Sequence, residues 1–151
     1  MTIRLDRLGI AFSSPALIQV LNNIKAPYNI STPTATLALR ALSPPGLSLL
    51  AQKISTLKSN HAYLHTALLA LPNVLQILGA GNANFLLVQI GTEGKVDNKR
   101  AEKCYKFMAE SDKVVVRFRG NEIGCEGCLR VTVGTMEECV EVVERLGELL
   151  K

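Results

Sequence analysis

From residue 7 to residue 92 this chain contains no Asp and no Glu, and from Ser59 to Thr92 it carries no formal charge at all. The only charges in the stretch are Arg7, Lys25, Arg40, Lys53 and Lys58, whereas Glu93–Lys151 is dense in both signs. A solvated domain spreads charge over its surface, because charge keeps that surface soluble. A long, nearly uncharged stretch therefore reads as surface that will be covered. Either it forms the core of its own domain or it packs on something else.

Composition narrows the possibilities. A chain of 151 residues, 48% hydrophobic, has the volume for one real core. Its apolar runs are interrupted by Asn60, His61, His65, Pro72, Asn73, Gly79, Gly81 and Asn82, so no window of about 18 apolar residues reads as a membrane span. Arg4, Arg7, Ser13 and Ser14 share the residue content of a transit peptide, but Asp6 and the Gly-containing apolar run argue against one. The expectation is a soluble, cytoplasmic protein. Aromatic residues make up 5% of the chain and Trp is absent, which leaves little for stacking nucleic-acid bases. Lys95, Lys99, Arg100, Lys103 and Lys106 cluster on one predicted helix but are interleaved or flanked by Glu102, Glu110 and Asp112. That pattern reads as a solvated face, so neither a nucleic acid nor a membrane is expected as partner.

The spacing of apolar residues predicts the elements. Arg7–Phe12 reads as a short buried strand. Ser14 with Pro15 starts a helix that ends near Lys25, ahead of Pro27. Pro27-Tyr28-Asn29 is a link, and Ser31 or Thr32 starts a second helix reaching Leu42. Ser43-Pro44-Pro45-Gly46 is a break. Leu47–Leu71 then reads as one long helix, closed by Pro72, of about 35 Å, a length suited to bridging two domains. Beyond it the predicted strands are Asn73–Leu78, Ala83–Ile90, Val114–Phe118 and Leu129–Val133. The predicted helices are Asn98–Ser111 and Met136–Leu150, the latter capped by Thr135 with Glu138. Gly79-Ala80-Gly81 and Gly91–Gly94 read as turns, and Arg119–Gly127 as a loop. The order β-β-α-β-β-α implies a two-layer α/β unit with helices on one face of a mixed sheet.

Three arginines stand in apolar strand patterns: Arg7, Arg117 in VVVRF and Arg130 in CLRVTV. An arginine among Val and Leu is costly to bury without an anion, and its fork matches carboxylate or phosphate. Arg117 and Arg130, on strands joined by a Gly-rich loop, can act on one anionic group. The competing reading pairs each with a structural carboxylate, Glu137, Glu138 or Glu144. His61-x-x-x-His65 and Cys125-x-x-Cys128 offer zinc-type ligands, but a single CxxC far from the histidines is a weak signal and no metal site is expected. A thioredoxin-like role for the CxxC is weaker still, because the motif precedes a strand rather than opening a helix. With no secretory signal, the four cysteines are not expected to form disulfides.

Particular segments resemble a known family. Arg7-Leu8-Gly9, with the apolar run and Pro15 after it, is similar to the segment that follows the cofactor lysine in class I/II aminotransferases. Lys25-Ala26-Pro27-Tyr28-Asn29-Ile30-Ser31, Ala83–Val88 (ANFLLV), Val115-Val116-Arg117 and Gly127–Thr135 (GCLRVTVGT) resemble, in order, segments of the histidinol-phosphate aminotransferases. The resemblance implies an α/β fold made of an aminotransferase small domain at 47–151, with its long bridging helix and β-β-α-β-β-α two-layer sandwich, and a remnant of the large domain at 1–46. It implies pyridoxal 5'-phosphate (PLP) as cofactor, with Arg7 on its phosphate and Arg117 and Arg130 on the anionic end of the substrate. It further implies amino transfer between L-glutamate and imidazole acetol phosphate in L-histidine biosynthesis, giving histidinol phosphate, by an enzyme that is a homodimer when intact. The lysine that anchors the cofactor falls before Met1, and Met1–Asp6 does not match the family segment that follows it. The expectation is thus a C-terminal fragment with no catalytic residue of its own, inactive alone. The alternative is a non-catalytic anion-binding or dimerisation module.

Overall fold

In a computed structural model the chain is described over residues 8–27, 30–79, 81–111 and 114–151. Arg7, Tyr28, Asn29 and Ala80, each part of an expected strand, link or turn, lie outside the described residues. The chain divides into two units, 1–52 and 53–151.

The first unit holds α1 (Pro15–Ile24), α2 (Thr32–Ala41) and the start of α3 (Pro44–Leu69). Proline stands in the first turn of α1 and of α2, where its missing N–H costs nothing. Ser31 caps α2 by accepting from the Thr34 N–H at 3.3 Å, whereas the Ser14 side chain makes no capping bond. The break expected at Ser43-Pro44-Pro45-Gly46 falls inside the first turn of α3, because two prolines are compatible with helix where no N–H partner exists. A Cβ on Gly46 would strike the backbone of Arg40 and Ala41, so the tight passage from α2 to α3 needs glycine there. Residues 8–12 form no strand, in contrast to expectation, and Leu8, Ile10 and Phe12 are exposed. A strand needs a hydrogen-bonded neighbour, and the five strands described all lie between residues 74 and 132. No residue of α1 is buried.

The second unit is an antiparallel sheet with helices. β1 (Val74–Leu78), β2 (Phe85–Thr92), β5 (Cys128–Thr132) and β4 (Arg117–Phe118) lie in the order β1-β2-β5-β4, and β3 (Lys95–Val96) pairs with the far end of β2. Every pairing is antiparallel, not mixed. β3 was not anticipated, because two residues are too short to show a period. It arises because Glu93 (φ 52°) and Gly94 (φ 78°) make a two-residue hairpin with left-handed backbone, which carries β2 on through Gly91 and Thr92. β4 is shorter than the expected Val114–Phe118. It is an edge strand registered with β5 at two positions only, and Val115 ahead of it is exposed.

Strand pleating sorts the side chains. Leu86, Val88 and Ile90 of β2 share a core with Leu129, Val131 and Val133, joined by Leu64 and Leu68 of α3, Ala101, Cys104 and Met108 of α4 (Asn98–Glu110), and Cys139 and Leu146 of α5 (Met136–Leu149). α5 begins with a complete capping box: Thr135 accepts from the Glu138 N–H and Glu138 accepts from the Thr135 N–H. The uncharged stretch thus has two fates. Its later part, including Leu64, Leu68, Leu86, Val88 and Ile90, forms core, whereas Leu17, Val20, Ile24, Leu39, Leu42, Leu49 and Leu50 remain exposed. No described helix is long and apolar enough to cross a membrane. Leu68→Ala, at a fully buried position, is expected to cost about 2–5 kcal/mol. Leu39→Ala, at an exposed one, is expected to change stability by less than about 0.5 kcal/mol. Urea unfolding followed by circular dichroism separates the two.

Candidate functional site

The sheet face turned away from the core carries Phe85, Leu87 and Gln89 on β2, and Cys128, Arg130 and Thr132 on β5. These alternate with the core-facing residues, as the period of two requires. Arg130 lies opposite Leu87 on one side and opposite Arg117 of β4 on the other. The two arginines are therefore direct cross-strand partners, not merely residues of neighbouring strands. Like charges facing each other across a ladder are unfavourable, and an anion between the two would relieve the repulsion.

No carboxylate supplies it among the described residues. The ion pairs there are Lys106–Glu102, Arg119–Glu122 and Arg145–Glu148. Glu138, one of the acids offered as a structural partner, is used in the α5 cap. Arg130 is half-buried, and its Nε is shut from solvent with no hydrogen-bond partner. Its guanidinium carbon lies 5.3 Å from the centroid of the Phe85 ring. Arg117 is exposed. Arg7, the third arginine of the expected site, lies outside the described residues.

The loop between β4 and β5 sets this geometry, and a single side chain of α4 holds it. Asn98 donates from Nδ2 to the Gly120 carbonyl at 3.1 Å and accepts at Oδ1 from the Gly127 N–H at 2.8 Å. Gly127 has φ 70°, and a Cβ there would lie 2.7 Å from the Ile90 carbonyl oxygen. Only glycine combines that backbone conformation with that approach. Asp97 caps α4 just ahead, accepting from the Arg100 N–H at 2.9 Å and from the Thr92 hydroxyl at 2.8 Å. The Arg100 backbone bond, followed by the Thr92 bond, holds its carboxyl below the usual range. Neither Asn98 nor Asp97 stood out in the sequence, although an acidic cap ahead of a helical pattern is a legible signal.

The zinc-type residues are not gathered. Among the described residues no group of three or more His, Cys, Asp or Glu is placed to hold a metal. His61 lies against Gly81, where its Nε2 is buried and unpartnered. Cys128 opens β5, and burial, helped by Cys125 and Glu126, pushes its thiol up to about 11.

Residues 6–146 match the family model described as aminotransferase class I and II. The chain is 42% identical, over 87% of its length, to a histidinol-phosphate aminotransferase of Schizosaccharomyces pombe, of which it spans 35%. Among solved structures, a decarboxylase from Sulfurospirillum multivorans superposes with a TM-score of 0.76 at 21% identity, covering 90% of this chain and 33% of its own. A histidinol-phosphate aminotransferase from Sinorhizobium meliloti, in complex with pyridoxal-5'-phosphate, superposes at 0.71 with 17% identity, covering 91% and 35%. At these identities the two structures establish a shared fold.

Two outcomes follow from the site geometry. Asn98→Ala leaves two backbone groups of the β4–β5 loop without their partner and is expected to lower stability by about 1–3 kcal/mol, with faster amide hydrogen exchange at Gly127. Because the Cys128 thiolate forms only as pH approaches about 11, iodoacetamide at pH 8 is expected to leave Cys128 unmodified in the folded chain while reaching the partly exposed Cys125; peptide mass mapping reads both sites.

Proposed function

Since this chain belongs to the class I and II aminotransferase family, we propose that it forms part of a histidinol-phosphate aminotransferase of L-histidine biosynthesis, within which Arg117 and Arg130 grip the anionic end of the substrate. The observation that carries the proposal is the pairing of two arginines across β4 and β5 with no acid between them among the described residues. The likeness to the S. pombe enzyme supports the branch of the family. In this reading 47–151 is the small domain and 1–46 belongs with the large one. The exposed apolar side chains of α1 and α2 fit a surface that the rest of a larger enzyme covers.

The substrates of the proposed reaction, L-glutamate and imidazole acetol phosphate, carry a carboxylate and a phosphate respectively. A guanidinium fork binds either through two parallel N–H···O bonds. A pair of forks gives the anionic end a fixed place and leaves the reacting carbon at a set distance from it, which is how positioning raises a rate. PLP, present in the S. meliloti relative, supplies the electron sink for amino transfer when bound. The described residues fit the anionic end of a substrate. Arg7, proposed to meet the cofactor phosphate, lies outside them. The task assigned to this chain is recognition of the anion, and amino transfer and a homodimeric assembly are proposed for the whole enzyme.

Calorimetric titration of the chain with L-glutamate and with inorganic phosphate tests the assignment. Binding is expected, with Arg130→Ala weaker by about ten- to a hundredfold, the range for a charge-assisted hydrogen bond. No heat with either ligand, or an Arg130→Ala variant that binds as the parent does, removes the site.

A further inference from the structure

Phe85 begins β2 and pairs across the ladder with Thr132, while Arg130, two residues earlier on β5, pairs with Leu87. Phe85 is therefore the diagonal neighbour of Arg130 on the same face. Diagonal Cα atoms lie about 7–8 Å apart, within reach of an aromatic ring and a long side chain. The 5.3 Å between the guanidinium carbon and the ring centroid shows that they meet. Arg117 flanks Arg130 from the opposite side.

Arg130 is thus held between an aromatic face and a second cation. The ring quadrupole attracts its guanidinium, and the charge of Arg117 repels it. The ring attraction draws the guanidinium toward β2, and the strand pairing sets Arg117 on the β4 side. The side of the guanidinium that carries Nε is closed to solvent and meets no acceptor. A fork can present an anion either Nε with one Nη, or its two Nη groups end-on. With Nε closed off, the end-on edge is the one left for a ligand.

We infer that Phe85 is a positioning residue of the anion site: its ring fixes the Arg130 guanidinium so that the two Nη groups, and not Nε, meet an incoming carboxylate or phosphate beside Arg117. The inference rests on the reading of Arg117 and Arg130 as an anion site and adds what orients one of the two. Without the ring, Arg130 remains charged and in place on β5, but its head swings freely, and the freedom lost on binding opposes the ligand.

The test is a titration of the full chain with inorganic phosphate. Calorimetry gives the affinity, and nitrogen-15 spectra follow the Arg130 Nε–Hε signal, for the parent, Phe85→Leu and Phe85→Tyr. The expected result is about two- to fivefold weaker phosphate binding in Phe85→Leu, the range of an exposed cation–π contact. With it, the ligand-free Arg130 Nε–Hε signal leaves its ring-shifted position, and both readings return in Phe85→Tyr, which keeps the ring. Should Phe85→Leu fail to fold, Phe85→Met fills a similar volume without a ring and replaces it. Parent-like phosphate affinity with an unmoved Nε–Hε signal overturns the role of Phe85 and leaves the anion site standing. Equal losses in the Leu and Tyr variants point to packing rather than to the ring and likewise overturn it. No phosphate binding by the parent overturns the inference, and no binding of either phosphate or L-glutamate overturns the anion site itself.

Discussion

β5 is hydrogen-bonded on both sides, to β2 through the register Leu129↔Val88 and Leu87↔Arg130 and to β4 through Arg117↔Arg130. Its pleat sends Leu129 and Val131 into the core with Leu64, Leu68 and Val88. The burial of those two residues fixes the register, because a slip of one position would turn Arg130 inward and a leucine outward. The site geometry follows from that constraint. Arg130 is presented on the other face because its neighbours are buried, and it faces Arg117 because β4 runs antiparallel at that register.

The rest of the second unit holds this pairing in place. α4 covers the core side of the sheet, and from its first turn Asn98 reaches into the β4–β5 loop to tie Gly120 and Gly127. The loop is in this way coupled to the helix that the core packs. On the open face a polar ladder continues beside the arginines. Gln76 donates to Gln89 at 2.8 Å, and Gln89 donates to the Glu126 carbonyl at 2.9 Å. These bonds satisfy the buried Gln89 amide without any charge. The contrast with Arg130 is informative: of two polar residues on one sheet face, one has its partners within the chain, and the other has an aromatic ring and an unpartnered nitrogen.

The two halves of the chain differ in what they bury. In the second unit the apolar residues close on one another. Much of the apolar content of α1 and α2 stays exposed. One compositional signal, the lack of acid from residue 7 to residue 92, therefore spans residues with two structural fates, core and exposed surface, and composition by itself could not divide them.

The sequence by itself determined the helices of the second unit, the Thr135–Glu138 capping box, the two long strands and the residue types of the candidate site. These are local matters: a 3.6-residue or two-residue period, a cap three positions from its partner, and an arginine whose apolar strand neighbours are visible beside it. Only the tertiary structure decided that the sheet is antiparallel in the order β1-β2-β5-β4, that Arg117 and Arg130 are direct partners, that Phe85 lies over one of them, and that Asn98 anchors the loop between them. Residues 8–12 show the limit from the other side. Their apolar run predicts a strand, but pairing needs a neighbouring strand and the described ones all lie in the second unit. Propensity acts through near neighbours in the chain, whereas register, sheet order and cross-strand partnership depend on residues tens of positions apart brought together by burial.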